Sequence, residues 1–172
     1  MKMTAFILLL LFILSFFPFA QAQQPEYDKH HLIFSLAYVA VPEGKKDVDD
    51  KMVWAPALGT GYDYWFWQDF GIGLRAGVEF AEYKVWYGEN DVIRENAATV
   101  VVVGLYKITD NLTFLFGPGV DIAWHQSFFA FKSGLRYEFK IGKNFDLGFN
   151  ISYDWKRQYN AIIPGLSLGR RF

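Results

Sequence analysis

The sequence NAIIPGLSLGRRF, residues 160–172, decides the fold that we predict for this chain. Taken two residues at a time, its bulky side chains fall on one face, which holds Ile162, Pro164, Leu166, Leu168 and Phe172. The opposite face is mostly small or polar and holds Ala161, Ile163, Gly165, Ser167, Gly169 and Arg171. A period of two with one apolar face indicates a β-strand rather than a helix.

The same alternation recurs upstream, in the segments 31–41, 53–66, 70–83, 97–108, 112–124, 128–141 and 145–155. In most of them, aromatic or aliphatic residues alternate with glycine, alanine or a charged residue. Four consecutive valines, residues 100–103, hide the alternation of segment 97–108, so the facing of that strand is left open. The pattern predicts an all-β chain of about eight strands.

The connections between these segments differ in length and polarity. Short turns are predicted at 67–69, 109–111 and 142–144, and loops at 42–52, 84–96, 125–127 and 156–160. An even number of strands with short turns at one end and longer loops at the other is typical of outer-membrane β-barrels. We therefore predict an eight-stranded antiparallel transmembrane β-barrel, with the short turns and both chain ends in the periplasm.

The face of a strand that contacts lipid can be predicted from the energetic cost of exposing charged side chains to lipid. In segment 128–141, Lys132, Arg136 and Lys140 share one face and the aromatic residues share the other. A lysine or arginine facing lipid near the midplane costs about 2–4 kcal/mol, so the charged face is predicted to point inward. The alternative is a soluble lipocalin-like barrel or a sandwich, which would need its bulky residues inside and a charged exterior.

The first residues predict export. An apolar run over 5–17 follows Lys2 and leads to Ala20-Gln21-Ala22, the form of a cleavage site for a secretory signal peptide. We expect residues 1–22 to be removed, which leaves 23–172 as a single barrel domain. The absence of cysteine argues against a disulfide scaffold, and a net charge of −1 gives no reason to expect nucleic acid.

The chain resembles small outer-membrane barrels of the OmpA/OmpX type, and in particular single-domain barrels of Bacteroidetes-type bacteria. The segments that carry this resemblance are YDYWFWQDFGIGLRAGVEF (residues 62–80) and the ending GLSLGRRF (residues 165–172). The resemblance implies a monomer in outer-membrane lipid, with Phe172 as the signal to the barrel-assembly machinery and periplasmic chaperones. No peptidoglycan-binding domain is expected beyond the barrel.

Nine charged residues are predicted to point into the lumen: Asp63, Arg75, Glu79, Asp121, Lys132, Arg136, Glu138, Asp154 and Arg171. Buried charges are costly unless paired, so we expect ion pairs that plug a lumen too narrow for much of a channel. The implied role is structural, or surface binding through the external loops. The alternatives are passage of small or hydrophobic solutes, as in OmpW-like barrels, or enzymatic modification of lipid A.

The enzymatic alternative depends on His125, Ser127 and Glu138, which loosely resemble the His-x-Ser and Glu arrangement of PagL-type deacylases. Their placement differs from that family, so no catalytic residue is predicted. No cofactor or metal is predicted either, because His30 and His31 face opposite ways on a strand and lack a third ligand, while Asp47, Asp49 and Asp50 lack a calcium-loop glycine.

Two further expectations concern local structure. An interfacial aromatic girdle is predicted near the external strand ends, formed by Trp54, Tyr83, Trp86, Tyr87, Trp124 and Trp155. Gly117-Pro118-Gly119 predicts a bulge or bend, because proline has no backbone N–H to donate within a sheet.

Overall fold

The fold is known from a computed structural model, which describes residues 28–42, 44–45, 52–87, 90–123, 127–157 and 159–172. The predicted signal peptide, His125, Trp124 and the three aspartates of the first loop lie outside these residues. Within the described ranges, no helix is long and apolar enough to cross a membrane.

The regular secondary structure of the described residues consists of β-strands. In chain order these are β1 (His30–Val41), β2 (Gly44–Lys45), β3 (Val53–Trp65), β4 (Phe70–Glu79), β5 (Glu82–Tyr87), β6 (Asn90–Glu95), β7 (Ala98–Lys107), β8 (Leu112–Ile122), β9 (Ser127–Ile141), β10 (Phe145–Lys156) and β11 (Asn160–Arg171). Eight of them close a barrel in the order β1-β11-β10-β9-β8-β7-β4-β3. The predicted eight-stranded antiparallel barrel is confirmed, with β1 and β11 as the closing pair.

The alternation of each strand sorts its side chains between the lumen and the outer surface. The outer surface is a coat of exposed apolar residues that runs around the barrel, such as Phe34 and Leu36 on β1 and Phe149 and Ile151 on β10. The structure settles the facing of β7: Val101 and Val103 are buried in the lumen, while Val102 is exposed. A closed sheet with an apolar exterior suits a membrane, because every strand finds a partner on both sides.

The two ends of the barrel differ. The turn end carries the short connections 66–69, 108–111 and 142–144, together with His30 and Phe172. The loop end carries the connections between β1 and β3, β4 and β7, β8 and β9, and β10 and β11. The three turn-end connections have three or four residues, whereas at the loop end the connections between β1 and β3 and between β4 and β7 are longer.

The loop end carries a second sheet, in which β5 pairs with both β2 and β6. We call these three strands the lid sheet. The prediction of a polar loop at 84–96 was wrong, and the third predicted strand ends at Glu79 rather than at residue 83. The hairpin β5–β6 is amphipathic: Tyr83 and Val85 are buried, while Glu82 and Lys84 are exposed. Its buried face packs in the mouth of the barrel against Val39, Val41, Val53, Ala55, Phe128, Tyr159 and Ala161.

Tyr83 therefore does not belong to an interfacial girdle, because only 2% of it is exposed and it faces the lumen. Trp54 and Trp155 do lie on the outer surface near the loop end. Of the bulge or bend predicted at 117–119, the bulge is absent, because β7 and β8 keep one register on both sides of Pro118, while the pairing at that level is interrupted. Pro118 faces outward, and its missing N–H accounts for the gap.

Candidate functional site in the barrel lumen

All nine predicted lumen charges lie on inward-facing positions of the barrel strands. Asp63, Glu79, Asp121, Arg136, Glu138 and Asp154 are buried, while the side chains of Lys132 and Arg171 are 12% exposed and that of Arg75 is 16% exposed. They do not form one network. They divide between the two ends of the barrel, and a Lys132–Asp154 pair joined at 2.6 Å lies between them.

The turn-end ion network consists of His31, Asp63, Arg75, Arg136, Glu138, Asp146 and Arg171. Arg136 is its centre, with Nη2 at 2.8 Å from Asp63 Oδ2 and Nε at 2.9 Å from Glu138 Oε1. Arg75 Nη1 binds the other oxygen of Asp63 at 2.6 Å. Arg171 joins Glu138, at 2.6 Å, to Asp146, at 2.9 Å. Three guanidinium groups thus neutralise three carboxylates.

His31 completes this network although the sequence analysis gave it no role. It is fully buried, its Nε2 lies 3.0 Å from Asp146 Oδ2, and its Nδ1 lies 3.6 Å from Glu138 Oε1. The expectation that His30 and His31 face opposite sides is met by their burial. His31 lies beside two carboxylates that the sequence analysis did not connect with it. His31, Glu138 and Asp146 each offer an atom, and these atoms lie within 4.8 Å of one another.

This group has the donor types of a metal site, but its surroundings favour ion pairing. Arg171 binds Asp146 and Glu138, and Arg136 binds the same Glu138 oxygen that faces His31. A divalent cation would have to displace these guanidinium groups or add charge beside three arginines, and a buried excess of charge is costly. The geometry therefore supports a structural ion network.

The loop-end ion network consists of Glu79, Arg94, Asp121 and Lys156, with the hydroxyl groups of Tyr83, Thr99 and Tyr159. Lys156 Nζ lies 3.2 Å from Glu79 Oε1 and 3.3 Å from Asp121 Oδ2. Arg94 reaches down from β6 of the lid sheet and binds Asp121 through Nη2. Two cations thus face two carboxylates at the mouth of the barrel.

The tyrosines of this network act as donors. Tyr83 donates to Glu79 Oε2 at 2.7 Å, and Tyr159 donates to Asp121 Oδ2 at 3.0 Å. Burial raises the pKa of both phenols above the ordinary value of a tyrosine, and the neighbouring carboxylates Glu79 and Asp121 raise it further. Both phenols therefore stay protonated and hold their carboxylates in place.

Between the two networks lies a cavity of about 120 Å³. Its wall is made largely of small residues, and its polar groups include Ser35, Asn150, Ser152 and the Lys132–Asp154 pair. Asn150 Oδ1 and Arg75 Nη2 have no hydrogen-bond partner among the described residues. The lumen is therefore filled by side chains at both ends and open in its middle, with room for several water molecules.

Beside this cavity the pairing of β1 with β11, the seam of the barrel, is interrupted, as the pairing of β7 with β8 is at Pro118. The β1–β11 pairing runs from His31↔Arg171 to Ala37↔Gly165 and resumes only at Ala40↔Ile162. Pro164 lies in the gap and cannot donate a hydrogen bond to β1. A groove on the outer surface lies at the same place, and Ala37 and Ala57 line both the groove and the cavity.

The residues of the enzymatic alternative do not meet. Ser127 begins β9 at the loop end and is exposed, whereas Glu138 lies eleven positions further along the strand, about 36 Å at 3.3 Å per residue. Glu138 also forms ion pairs with Arg136 and Arg171. Glu138 therefore cannot orient a base beside Ser127.

Phe172, the predicted assembly signal, closes the seam at the turn end. Its ring stacks on His30 at 5.6 Å between centroids, and its backbone exchanges hydrogen bonds of 3.1 and 3.0 Å with that residue. His30 Nδ1 in turn lies 2.5 Å from the hydroxyl of Tyr62. The terminal residue is thus paired in the folded barrel, although 54% of it is exposed.

No protein-family model matches this chain, and no curated protein matches it. Solved structures do match. The attachment invasion locus protein Ail of Yersinia pestis has a TM-score of 0.53 at 18% identity, over 85% of this chain and 100% of Ail. The outer membrane protein OprG of Pseudomonas aeruginosa has a TM-score of 0.56 at 12% identity, over 85% and 97%. Neisserial surface protein A has a TM-score of 0.51 at 10% identity, over 84% and 97%.

These similarities are to small outer-membrane proteins that this chain spans almost completely. The chain therefore has the fold of the small outer-membrane β-barrels, as the sequence pattern predicted.

Proposed function

We propose that this chain is an integral protein of the bacterial outer membrane, that its lumen is closed to solutes, and that it acts without catalysis through its external face. Its role is then membrane integrity or surface binding. Outer-membrane lipid is its environment, and the barrel-assembly machinery with periplasmic chaperones brings it there. We propose that it works as a monomer, because the barrel closes within one chain.

The observation that carries this proposal is the lid sheet over the loop end. The mouth of the barrel is filled by Tyr83, Val85 and Arg94, and below it the lumen contains two buried ion networks. Opening a path would require breaking several buried ion pairs at once, each of which is expensive to leave uncompensated. The same lid presents Lys84 and Ile93 outward, so the external end is a folded surface.

The charges of this external end indicate the kind of partner. The connections 42–52, 80–97, 123–126 and 157–159 carry eight acidic and six basic residues, and one of the basic residues is the buried Arg94. Ail has been solved in complex with a heparin analogue. The acidic balance of this chain does not favour such a polyanion, and we propose a partner that is basic or neutral at its contact surface.

The test is conductance in planar lipid bilayers. We expect the folded protein to insert and to show no stepwise current, because both ends of the lumen are filled. Steady single-channel openings would overturn the closed lumen. Loss of surface binding by cells in which residues 82–95 are replaced by a Gly-Ser linker, with the barrel still folded, would locate the binding role in the lid.

A second candidate is passage of a small or hydrophobic solute between the lumen and the membrane. It is favoured by one observation, the gap in the β1–β11 pairing beside the cavity and the outer groove. A solute would leave sideways through the seam, where small residues and Pro164 replace a continuous ladder.

This candidate makes its own prediction. A disulfide across the gap, Tyr38→Cys with Pro164→Cys, should abolish uptake of such a solute by proteoliposomes when oxidised and restore it when reduced. A matched pair at a regular part of the seam, Leu36→Cys with Leu166→Cys, serves as the control. Equal uptake in both states of both variants would exclude the seam.

A further inference from the structure

The loop-end ion network is arranged as a binding site whose occupant comes from outside the barrel wall. The receiving groups belong to the barrel: Glu79 on β4, Thr99 on β7, Asp121 on β8, Phe128 on β9, Lys156 on β10 and Tyr159 just before β11. Arg94 belongs to the lid sheet. Its side chain is fully buried although its strand lies outside the barrel.

The contacts of Arg94 are those of a recognised organic cation. Its guanidinium binds Asp121, its Cζ lies 4.8 Å from the centre of the Phe128 ring, and it lies 5.9 Å from the centre of the Tyr159 ring. A cation held over aromatic faces and against a carboxylate is a common mode of recognition for guanidinium and ammonium groups. The lower part of the site is already occupied by Lys156, between Glu79 and Asp121.

The charged groups that the barrel strands contribute to this network need one further monovalent cation for neutrality. Glu79 and Asp121 are both buried, and Lys156 is the barrel cation that faces them within ion-pair distance in the described part of the chain. Without Arg94, the wall would hold two carboxylates against one ammonium, and such an uncompensated buried charge is strongly unfavourable. Asp121 itself is held in place by Thr99, at 2.9 Å, and by Tyr159.

The hairpin that delivers Arg94 is joined to the barrel through a narrow base. Asn96 N donates to Ala81 O at 3.3 Å and Glu79 N donates to Ala97 O at 2.8 Å. Asn96 has a φ of 45°, a left-handed conformation that asparagine tolerates better than most residues. The site and its occupant thus belong to different sheets of one chain, and the two sheets pack together at the mouth of the barrel.

We propose that the loop end of the lumen is a binding site for a small organic cation of the guanidinium type, and that Arg94 of the lid occupies this site as the resident cation. The site is closed while Arg94 is in place. An external cation binds when the hairpin lifts, in competition with Arg94. The proposal goes beyond the surface role proposed above and does not depend on it.

The test removes the side chain of Arg94 and adds a free guanidinium compound that can take its place. The full protein with Arg94→Ala is folded in detergent micelles, and its thermal midpoint is followed with ethylguanidinium or with ethylurea, which has the same shape and no charge. We expect a lower midpoint than that of the unmodified protein, and a saturable recovery of at least half the loss with ethylguanidinium but not with ethylurea. Glu95→Ala, an exposed neighbour on the same strand, should show neither effect.

Two comparisons make the test specific. Adding Asp121→Asn to Arg94→Ala should weaken the recovery at least about tenfold, because the charged acceptor is lost. In the unmodified protein, half-saturation should need at least about tenfold more ethylguanidinium than in Arg94→Ala, because a tethered competitor acts at millimolar effective concentration. Recovery that is absent, unsaturable or equal with ethylurea would overturn the proposal.

Should Arg94→Ala not fold alone, it is refolded with either compound present from the start. Folding with ethylguanidinium and not with ethylurea supports the site. Failure with both compounds, or success with both, overturns it.

Discussion

The two ends of the lumen use the same chemistry and are built in different ways. In the turn-end network every member is a residue of a barrel strand, so its ion pairs form when the sheet closes. In the loop-end network Arg94 and Tyr83 come from the lid sheet, which is not part of the closed barrel sheet. Buried charge is neutralised at both ends, but only at the loop end does one of the described neutralising cations, Arg94, come from outside the barrel strands.

The difference has an energetic meaning. A network within the sheet is lost only in global unfolding, whereas a network completed by a hairpin can open in a local event of lower free energy. We therefore propose that the turn end stays closed while the sheet is intact and that the loop end is released when the hairpin opens.

The largest effect is expected from breaking the centre of the turn-end network. Arg136→Met keeps most of the side-chain volume but leaves Asp63 and Glu138 each without one of its buried partners. The free energy of unfolding should fall by about 3–5 kcal/mol, the usual cost of breaking a buried ion pair. Urea-induced unfolding in micelles, followed by tryptophan fluorescence, measures this change.

Lys140→Met on the same face of β9 is the matched control, because Lys140 is exposed. Its effect should stay within about 0.5 kcal/mol. Similar values for the two variants would show that the turn-end network contributes nothing particular.

A smaller effect is expected from crowding the turn-end network. A Cβ on Gly169 would overlap His31 Nε2 and Asp146, whereas a Cβ on Gly77, beside the cavity, meets nothing closer than Leu58 O at 3.5 Å. Gly169→Ala should cost about 1–3 kcal/mol in the same unfolding measurement, as overpacking usually does. Gly77→Ala should be close to neutral, and an equal cost at both positions would contradict the assignment of packed ends and an open middle.

A substitution in the loop-end network should destabilise the hairpin and leave the stability of the barrel nearly unchanged. Tyr83→Phe removes the donor to Glu79 Oε2 and should cost the hairpin about 1–2 kcal/mol, because a buried carboxylate oxygen loses its partner. Limited trypsin cleavage at the exposed Lys84 should then become about tenfold faster, while the urea midpoint of the barrel changes little. A shift of the barrel midpoint without faster cleavage would show that lid and barrel unfold together.

The smallest expected effect is a gain in the stability of the hairpin rather than a loss. Glu82 and Glu95 are paired directly across the hairpin, and both are exposed. Glu82→Gln removes this repulsion and should stabilise the hairpin by about 0.2–0.5 kcal/mol. Cleavage at Lys84 should slow slightly, and faster cleavage would contradict the pairing.

The sequence predicted the barrel well because membrane energetics leave little freedom. A strand such as 128–141 has one face that lipid excludes, so its register follows from the charges alone. The same argument placed the nine charged residues inside. It failed for β7, where Val100 to Val103 suit either face and only the closed sheet decides between them.

The lid sheet was not predicted because the argument from lipid exposure does not apply to a hairpin outside the membrane. The hairpin β5–β6 has an amphipathic pattern, with Tyr83 and Val85 alternating with Glu82 and Lys84. Because its charged face contacts water, the sequence pattern indicated a polar loop. Arg94 could be assigned a role only after the hairpin was placed over the mouth. Lys156 was missed for a simpler reason: it continues the alternation of Asp154 but was assigned to the connection after the strand.

The partners within the networks could not be predicted either. The pairing of Arg136 with Asp63 depends on the stagger between β9 and β3, which are far apart in sequence, and that of Arg171 with Asp146 depends on the register between the consecutive strands β10 and β11. The period of two contains neither. His31 and Asp146 lie on the inward face for the same reason as the nine, yet only the closed barrel brings them together at 3.0 Å.

The most direct measurement is hydrogen exchange of the folded protein in micelles, with the hairpin β5–β6 and the barrel strands followed as separate peptides. The amides of residues 82–95 should exchange at least about tenfold faster than those of β8, β9 and β10, and Tyr83→Phe should accelerate the hairpin alone. Equal exchange rates in hairpin and barrel, or acceleration of both by Tyr83→Phe, would contradict a lid that opens independently of the barrel.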